Sequence, residues 1–343
     1  MVFSETYKDD DCTILLGRRV DPPLAEKELN LKPVSDHIDK NFVILLGSRV
    51  VPPLAEKELN LKPVGNKIDY LPPGVSTDFK KAVRLTDGSL VSYSPDVTGD
   101  EYGAHVVWVS NESVIPETSE IYYRYAGVDT STGIIQISET DRYIDCDPVI
   151  ARCKSGEVYI FWSAYDPLTG YDIYYTHGTY TDGFATEEAI VSTINDDTHP
   201  AVASDPEGLI YLVYETGDST NRDLMGLYFD PGVSAPIPVE IHPSNTSNDR
   251  NPSIDIDPVT ETPVFAWEND EGGTVCVMAR EFCTPGTVCR ISTPGACTDL
   301  FPSIAASVLE GFPTVSWFRY DGIEHESKIY LKGPHFSDDE EIE

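Results

Sequence analysis

Basic residues are scarce in this chain of 343 residues, which has 24 Lys and Arg against 58 Asp and Glu and a formal net charge of −34. A surface this negative repels phosphate groups, so we expect no binding to nucleic acid. Long apolar runs are also missing. None approaches the roughly 18 residues that a membrane-spanning helix needs, so we expect no direct insertion into a membrane. No signal peptide is visible at the start of the chain.

Several motifs that carry chemistry are absent too. There is no CxxCH for haem, no paired CxxC for a zinc site, no HExxH, no GxSxG and no glycine-rich phosphate loop. The sequence therefore assigns no catalytic residue and no cofactor, with Ca²⁺ as the one ion that its acidic residues could bind. An enzyme is the less favoured expectation.

Cysteine is present in an odd number, seven residues, so complete internal pairing is impossible. Four cysteines lie within 22 residues and are candidates for disulfide bonds in an oxidising medium: Cys276, Cys283, Cys289 and Cys297. Cys12 stands alone near the start of the chain and is a candidate for an intermolecular disulfide.

The N-terminal part contains a duplication at an offset of 30 residues. Ile14–Val34 and Ile44–Val64 are identical at 19 of 21 positions, and the two repeats extend over 9–38 and 39–68. Each has a short apolar stretch followed by a double proline, too little to form a core of its own. We expect this arm to dock on copies of the protein or on another assembly subunit, through strand addition. The docking residues are Ile14, Leu15, Leu16, Pro22, Pro23, Ile44, Leu45, Leu46, Pro52 and Pro53. A duplication without purpose, or packing on the chain's own body, are the alternatives.

A longer repeat follows. Five prolines recur 50 to 53 residues apart, at Pro95, Pro148, Pro200, Pro252 and Pro302. Each precedes an apolar run that ends in an aromatic residue, at Trp108, Trp162, Tyr214, Trp267 and Trp317. Further β-rich segments complete about four strands in each repeat. This pattern predicts a five-bladed β-propeller of four-stranded antiparallel blades, in which the recurring aromatic residues pack between blades.

The last repeat differs from the others because only a polar segment follows Lys332. We expect the missing strand to come from Lys80–Leu85, so that an N-terminal strand closes the ring. The predicted organisation is an extended arm over 1–78, a propeller over 79–333 and an acidic tail over 334–343. The arm has 10 basic and 13 acidic residues and a net charge of −3, whereas the remainder has 14 and 45 and a net charge of −31.

The repeated units, such as PVIARCKSGEVYIFW and the later DIYY, resemble the sialidase-related (BNR-like) β-propeller repeats of surface proteins. The resemblance covers about 260 residues and implies the propeller fold. The Ser-x-Asp-x-Gly-x-x-Trp turn of that family is absent from every blade, and its arginine triad has no counterpart that can be assigned. The resemblance therefore implies no sialidase activity, and the duplicated arm resembles no known family.

An acidic residue stands three positions before four of the five prolines: Asp145, Asp197, Asp249 and Asp299. At the entry to the innermost strands these carboxylates would form a ring at the mouth of the central channel. Three hypotheses stay open: they cap turns, they bind a cation such as Ca²⁺, or they include the carboxylate pair of a glycosidase.

The leading functional hypothesis is a non-catalytic structural protein, exposed on a surface, that its arm builds into a filament, a surface layer or a virion. The first alternative is a glycan-binding, lectin-like propeller. The second is a glycoside hydrolase that uses the channel carboxylates. Each predicts an extracellular, cell-surface or virion location.

Overall fold

The structure is a computed structural model. It describes residues 14–16, 44–46, 63–64, 67–68, 84–86, 90–111, 119–127, 131–139, 144–218, 221–242, 247–270, 273–281, 288–292, 298–306, 313–321, 326–332 and 340–342. Within these ranges the chain is all β, as the sequence predicts, and contains no helix. Accordingly, no helix suited to crossing a bilayer occurs among the described residues.

Five consecutive units of strands make up the body, and the first strand of each contains one of the recurring prolines. The first two units contain β5 (Val91–Gly99), β6 (Gly103–Asn111), β7 (Ser119–Gly127) and β8 (Ile135–Gln136), then β9 (Ile144–Arg152), β10 (Val158–Asp166), β11 (Gly170–Thr179), β12 (Gly183–Phe184) and β13 (Glu188–Val191). The third contains β14 (Asp196–Ser204), β15 (Ile210–Gly217), β16 (Arg222–Phe229) and β17 (Ile237–His242). The fourth contains β18 (Asn248–Ile256), β19 (Pro263–Asp270), β20 (Val275–Glu281) and β21 (Cys289–Arg290), and the fifth β22 (Thr298–Ala305), β23 (Thr314–Asp321), β24 (Glu326–Lys332) and β25 (Glu340–Ile342).

Within each unit the first three strands form an antiparallel meander, because short turns join neighbours in sequence. The last three units are separate four-stranded sheets, whereas one parallel pair, Ser119 with Ile144, joins the first two into a single nine-stranded sheet. The first strands of successive units lie next to one another in the order β5, β9, β14, β18 and β22. The result is a propeller-like arrangement of sheets.

The core lies between successive units and contains the recurring aromatic residues. Trp162 and Trp267 are fully buried, and Trp108, Tyr214 and Trp317 are at most 6% exposed. Each belongs to an apolar cluster, such as the one in which Phe265 and Trp267 pack with Val213 and Leu224 of the preceding unit. The prediction that these aromatic residues form the core is confirmed.

The fourth strand of the last unit does not come from where the sequence indicated. β25, which lies in the predicted acidic tail, pairs with β24 through Ile329–Leu331. Leu85 packs instead against Ala104 and Trp108 of the first unit, and residues 84–86 form no strand. The prediction that no strand follows Lys332 was wrong, because backbone pairing at the edge of β24 does not require an apolar sequence. The predicted closing strand otherwise lies outside the described residues.

Each first strand contains a β-bulge at the recurring proline. The pairing with the second strand shifts register there in all five units. A proline cannot donate to the ladder, and the bulge accommodates it. The residue before each proline has a positive φ between 47° and 54° although none is glycine: Ser94, Asp147, His199, Asn251 and Phe301. This strained backbone redirects five side chains at equivalent positions.

Four short strands belong to the N-terminal arm: β1 (Ile14–Leu16), β2 (Ile44–Leu46), β3 (Pro63–Val64) and β4 (Lys67–Ile68). The apolar stretches of the two repeats pair with each other, in parallel and in register, from Ile14 with Ile44 to Leu16 with Leu46. Cα atoms of β2 also come within 8 Å of β5. The prolines of the arm that the sequence singled out, Pro22, Pro23, Pro52 and Pro53, lie outside the described residues, as does Cys12.

Candidate functional site

The candidate site consists of the five positive-φ residues that precede the recurring prolines, which we call the bulge residues: Ser94, Asp147, His199, Asn251 and Phe301. Ser94, His199 and Phe301 are exposed, and Asp147 and Asn251 are half-buried. Because the five strands that carry them lie side by side, one acid, one imidazole, one amide, one hydroxyl and one aromatic ring occupy equivalent places in neighbouring strands.

Hydrogen bonds between units hold three of the bulge residues. The main-chain N–H of His199 donates to Ser163 Oγ at 3.1 Å, that of Asn251 to Glu215 Oε1 at 2.8 Å, and that of Phe301 to Glu268 Oε1 at 2.6 Å. In each case the acceptor is the residue directly after the core aromatic of the preceding unit. Charged acceptors make short, strong bonds, so Glu215 and Glu268 fix the bulges of the next units.

Side chains extend this series of contacts into one continuous chain. His199 Nε2 lies 3.7 Å from Asp147 Oδ2, and His199 Nδ1 lies 3.4 Å from Glu215 Oε1. Asn251 Nδ2 donates to Glu268 Oε1 at 2.8 Å. The order of contacts is therefore Asp147, His199, Glu215, Asn251, Glu268 and Phe301. The bulge residues of four units thus lie next to one another.

The two glutamates in this series of contacts are buried, with Glu215 1% exposed on its side chain and Glu268 4% exposed. Arg222 Nη1 lies 3.2 Å from Glu215 Oε2, and its guanidinium offsets the charge. Burial raises the pKa of Glu268, and the nearby charge of Glu215 adds to the effect. Glu215 has protein donors on both carboxylate oxygens, and this arrangement suits a structural support better than an acid that donates to a substrate.

The hydrogen bond to Glu215 raises the pKa of His199, and the charges of Glu215 and Asp147 act in the same direction. Burial and the charge of Arg222 oppose them. Because the pKa of the folded form exceeds the ordinary value of about 6.5, the charged imidazole stabilises the fold below that pH. This contribution is lost as the pH rises through the folded pKa.

We expect an NMR titration to give His199 a pKa above about 6.5 in the intact protein and a lower one in the Glu215→Gln variant. Glu207→Gln is the matched control, because Glu207 is exposed on the turn between β14 and β15. It should leave the pKa of His199 unchanged. An unshifted pKa in the intact protein would contradict the ion pair with Glu215.

Two tyrosines lie close enough to Asp147 for its charge to affect them, and another of the bulge residues, Phe301, is itself aromatic. The rings of Tyr165 and Tyr171, at the end of the β10–β11 hairpin, lie 4.9 Å apart. Burial raises the pKa of both Tyr93 and Tyr171, and the charge of Asp147 contributes to each. Phe301 is 65% exposed. Exposed or half-buried rings beside a carboxylate and an imidazole are typical of sites for small polar ligands with an apolar face.

The four carboxylates that the sequence singled out are not exposed at a channel mouth. Asp145, Asp197, Asp249 and Asp299 are at most 3% exposed. Asp249 and Asp299 bond to side chains of the neighbouring strand, and Asp197 bonds to the turn before its own strand. Asp249 Oδ1 accepts from Trp267 Nε1 at 3.0 Å and Asn269 Nδ2 at 2.6 Å, and Asp197 Oδ2 accepts from the N–H of Thr193 at 3.2 Å.

Asp299 forms a two-pronged ion pair with Arg319 of the neighbouring strand, with distances of 2.6 Å and 3.0 Å. Asp145 accepts from Ser119 Oγ at 2.7 Å through its main-chain oxygen. Of these contacts, the one between Thr193 and Asp197 is a turn cap, as one hypothesis proposed for the set, whereas Asp249 and Asp299 bond to side chains of the neighbouring strand. In the described part of the chain, no three His, Cys, Asp or Glu residues are grouped as a metal site would require.

The predicted disulfide bonds are partly outside the described residues. Cys276 and Cys289 carry thiols and are not joined to each other, with Cys276 buried and Cys289 exposed. Cys283 and Cys297 lie in segments that the structure does not describe. Cys146 and Cys153, which stand at opposite ends of β9, also carry thiols.

The bulge residues were missed by sequence reasoning, although a signal for them was present. Each is the residue before a recurring proline, and a proline inside an inner strand predicts a bulge. The sequence also indicated Glu215 and Glu268, because each directly follows the core aromatic residue of its unit. Nothing in the sequence showed that the glutamate of one unit bonds to the bulge of the next.

These observations define an all-β protein with a propeller-like fold. No family model matches the chain, and no curated protein matches it. Among solved structures, a protein of unknown function from Dyadobacter fermentans is similar with a TM-score of 0.53 and 10% identity, covering 75% of this chain and 83% of that one. An α-L-arabinanase from Penicillium chrysogenum, solved with arabinobiose, is similar with a TM-score of 0.50 and 13% identity, covering 73% and 80%.

A Hadza microbial sialidase is also similar, with a TM-score of 0.48 and 10% identity, and the match covers 72% of this chain and 57% of the sialidase. Likenesses at these identities concern the fold alone.

Proposed function

We propose that this protein is a glycan-binding β-propeller that holds a saccharide against the bulge residues. The observation that carries the proposal is the contact chain from Asp147 to Phe301. It places a carboxylate on β9, an imidazole on the neighbouring β14 and, beyond β18, an exposed aromatic ring on β22. Aromatic rings pack against the apolar faces of sugars, and the polar groups fix the hydroxyl groups. The α-L-arabinanase solved with arabinobiose shares the fold and suggests a first probe.

Binding is favoured over hydrolysis by the environment of the carboxylates. Hydrolysis of a glycoside usually needs two carboxyl groups that face the scissile bond. Glu215 is fully engaged by protein donors, and Glu268 accepts from Phe301 and Asn251. Asp147 is the accessible acid among the bulge residues. A glycoside hydrolase remains the alternative that the test below must separate from binding.

The test is a glycan array with the full chain, followed by calorimetry with arabinobiose and with the best saccharide on the array. We expect Phe301→Ala to weaken binding at least about tenfold, or about 1.4 kcal/mol, because the exposed ring supplies the stacking face. Val259→Ala is the matched control, since Val259 is 60% exposed on the turn between β18 and β19, and should not change binding.

An array without a bound saccharide, or a Phe301→Ala variant that binds as tightly as the intact protein, would refute the proposal. Release of reducing sugar from a bound oligosaccharide would replace it with the hydrolase alternative. Circular dichroism of each variant checks that the fold is retained.

We also infer that the five units form a closed, five-bladed propeller. The support is the repeat of five units and the packing of successive first strands from β5 to β22. An extracellular, cell-surface or virion location remains a proposal and is consistent with glycan binding.

The earlier hypothesis of an assembly arm is a second proposal, and one observation bears on it directly. β1 and β2 pair with each other, and β2 lies near β5 of the same chain. The apolar stretches of the repeats are therefore used within the chain. Docking on another subunit would have to use the segments that follow them.

A further inference from the structure

A second candidate site lies between the second and third units, and its lining includes none of the bulge residues. It is a groove of about 350 Å³, lined by Glu157, Tyr159, Tyr175, His177, Phe229 and Pro236 among others. Tyr159 of this groove lies on β10, four positions before Ser163, whose Oγ accepts the main-chain N–H of His199. The saccharide site proposed above does not use it.

Aromatic rings form one wall of this groove. The ring of His177 lies 4.9 Å from that of Tyr159 at 9° and 6.4 Å from that of Tyr175 at 15°, and Tyr159 and Tyr175 are 6.5 Å apart. Tyr159 is 4% exposed and belongs to the apolar core, so Tyr175 and His177, which are half-buried, form the accessible part of this wall. Phe229 of the next unit meets Tyr159 edge-on at 6.0 Å. Parallel ring faces of this kind bind proline-rich segments, whose rings and extended backbone need no rearrangement.

An acidic group stands at the same wall. Glu157 Oε1 lies 3.4 Å from His177 Nδ1, and the Glu157 side chain is 38% exposed. The groove therefore has an apolar aromatic face with a carboxylate beside it. Its complement is an extended proline segment that carries a basic residue a few positions away.

The chain itself contains such a segment in each N-terminal repeat. Both copies have the pattern Arg-Val-x-Pro-Pro, at Arg19–Pro23 and Arg49–Pro53. Proline restricts the backbone of itself and of the residue before it to extended conformations, so the double proline favours the form that a groove of this kind binds. Within this pattern the two copies differ at one position, Asp21 against Val51.

We propose that this groove binds the Arg-Val-x-Pro-Pro segments of a second copy of the chain. The prolines pack on the half-buried rings of Tyr175 and His177, and the arginine pairs with Glu157. Each chain carries two such segments, so one that is bound leaves another for a further copy. The charge distribution supports this arrangement, because a nearly neutral arm of net −3 docks on a body of net −31 without the repulsion that two bodies would experience.

Fluorescence anisotropy of a labelled peptide with the sequence of residues 44–56 tests the proposal. The full chain is used with Pro22, Pro23, Pro52 and Pro53 all replaced by alanine, so that its own segments do not compete. We expect the peptide to bind this protein, and a further Glu157→Lys change to weaken binding at least about tenfold. A peptide with Arg49→Glu should bind the Glu157→Lys protein better than the unchanged peptide does.

Glu207→Lys, an exposed acid on a different turn, is the matched control and should bind the peptide as before. Equal binding of a peptide with both prolines replaced by alanine, or no effect of Glu157→Lys, would overturn the proposal. Displacement of the peptide by a saccharide that the bulge residues bind would also overturn it, since the groove would then belong to the saccharide site. Light scattering should show association of the unaltered chain that the four Pro→Ala changes abolish; a monomer in both cases would contradict docking between copies.

Discussion

Replacing Glu215 by alanine is expected to lower the free energy of unfolding by about 3–5 kcal/mol and to abolish the alignment of the bulge residues. Glu215 is 1% exposed on its side chain and Arg222 is 15% exposed, so the variant leaves a largely buried guanidinium without its carboxylate. It also removes the acceptor of the Asn251 N–H, 2.8 Å away. A buried donor without a partner adds its own cost of about 1–3 kcal/mol, part of which is already included in the first figure.

Chemical denaturation with urea measures this change, and two further variants control it. Glu215→Gln keeps an acceptor for the Asn251 N–H and should lose less stability than Glu215→Ala. Glu207→Ala changes an exposed glutamate on a turn and should stay within about 0.5 kcal/mol of the intact protein. If Glu215→Ala unfolds at the same urea concentration as the intact protein, Glu215 does not hold the neighbouring unit.

Replacing Asp299 by alanine is expected to cost about 3 kcal/mol or more. Its carboxylate pairs with the guanidinium of Arg319 at 2.6 Å and 3.0 Å, and the two side chains are 3% and 14% exposed. The guanidinium also lies over the ring of Tyr330 at 4.4 Å. The variant leaves this positive charge in a largely buried position without its carboxylate.

The second change Arg319→Met should recover much of the loss, because an apolar pair of similar size is often as stable as a buried ion pair. Thermal unfolding of the single and double variants measures the recovery. A double variant no more stable than Asp299→Ala would show that Asp299 acts through another partner.

The same melting experiment separates the structural hypothesis for the four buried carboxylates from the cation hypothesis. A cation that binds only the folded form raises the melting temperature as its concentration rises. Since Asp249 and Asp299 are engaged by protein donors, we expect neither Ca²⁺ nor EDTA to shift it. A shift that disappears in Asp299→Ala would restore the cation hypothesis.

The all-β class and the five units could be predicted from the sequence because both depend on local patterns. A strand has a period of two residues, and the recurring proline and aromatic positions mark the same strands in every unit. The burial of Trp162 and Trp267 follows from those patterns. The fourth strand of the last unit could not be predicted in this way. β25 pairs through its backbone, and its sequence, Glu340–Ile342, contains a single apolar residue.

The direction of the repeated carboxylate side chains could not be predicted from the repeat pattern. Asp249 stands three residues before its proline, and Asn251 stands one before it; only the second is redirected by the bulge. The spacing showed that Asp249 occupies the same position in its repeat as Asp145, Asp197 and Asp299 occupy in theirs. It did not show that the side chain faces Trp267 and Asn269 rather than solvent.

The sequence by itself determined the repeated strands, the aromatic core and the separation of a nearly neutral arm from a strongly acidic body. The tertiary structure alone decided which side chains form the site. His199 of the third unit meets Asp147 of the second, and Glu215 of the third unit accepts from Asn251 of the fourth, only because successive units pack side by side. The physical reason is that strand patterns arise from neighbours along the chain, whereas these contacts arise between units.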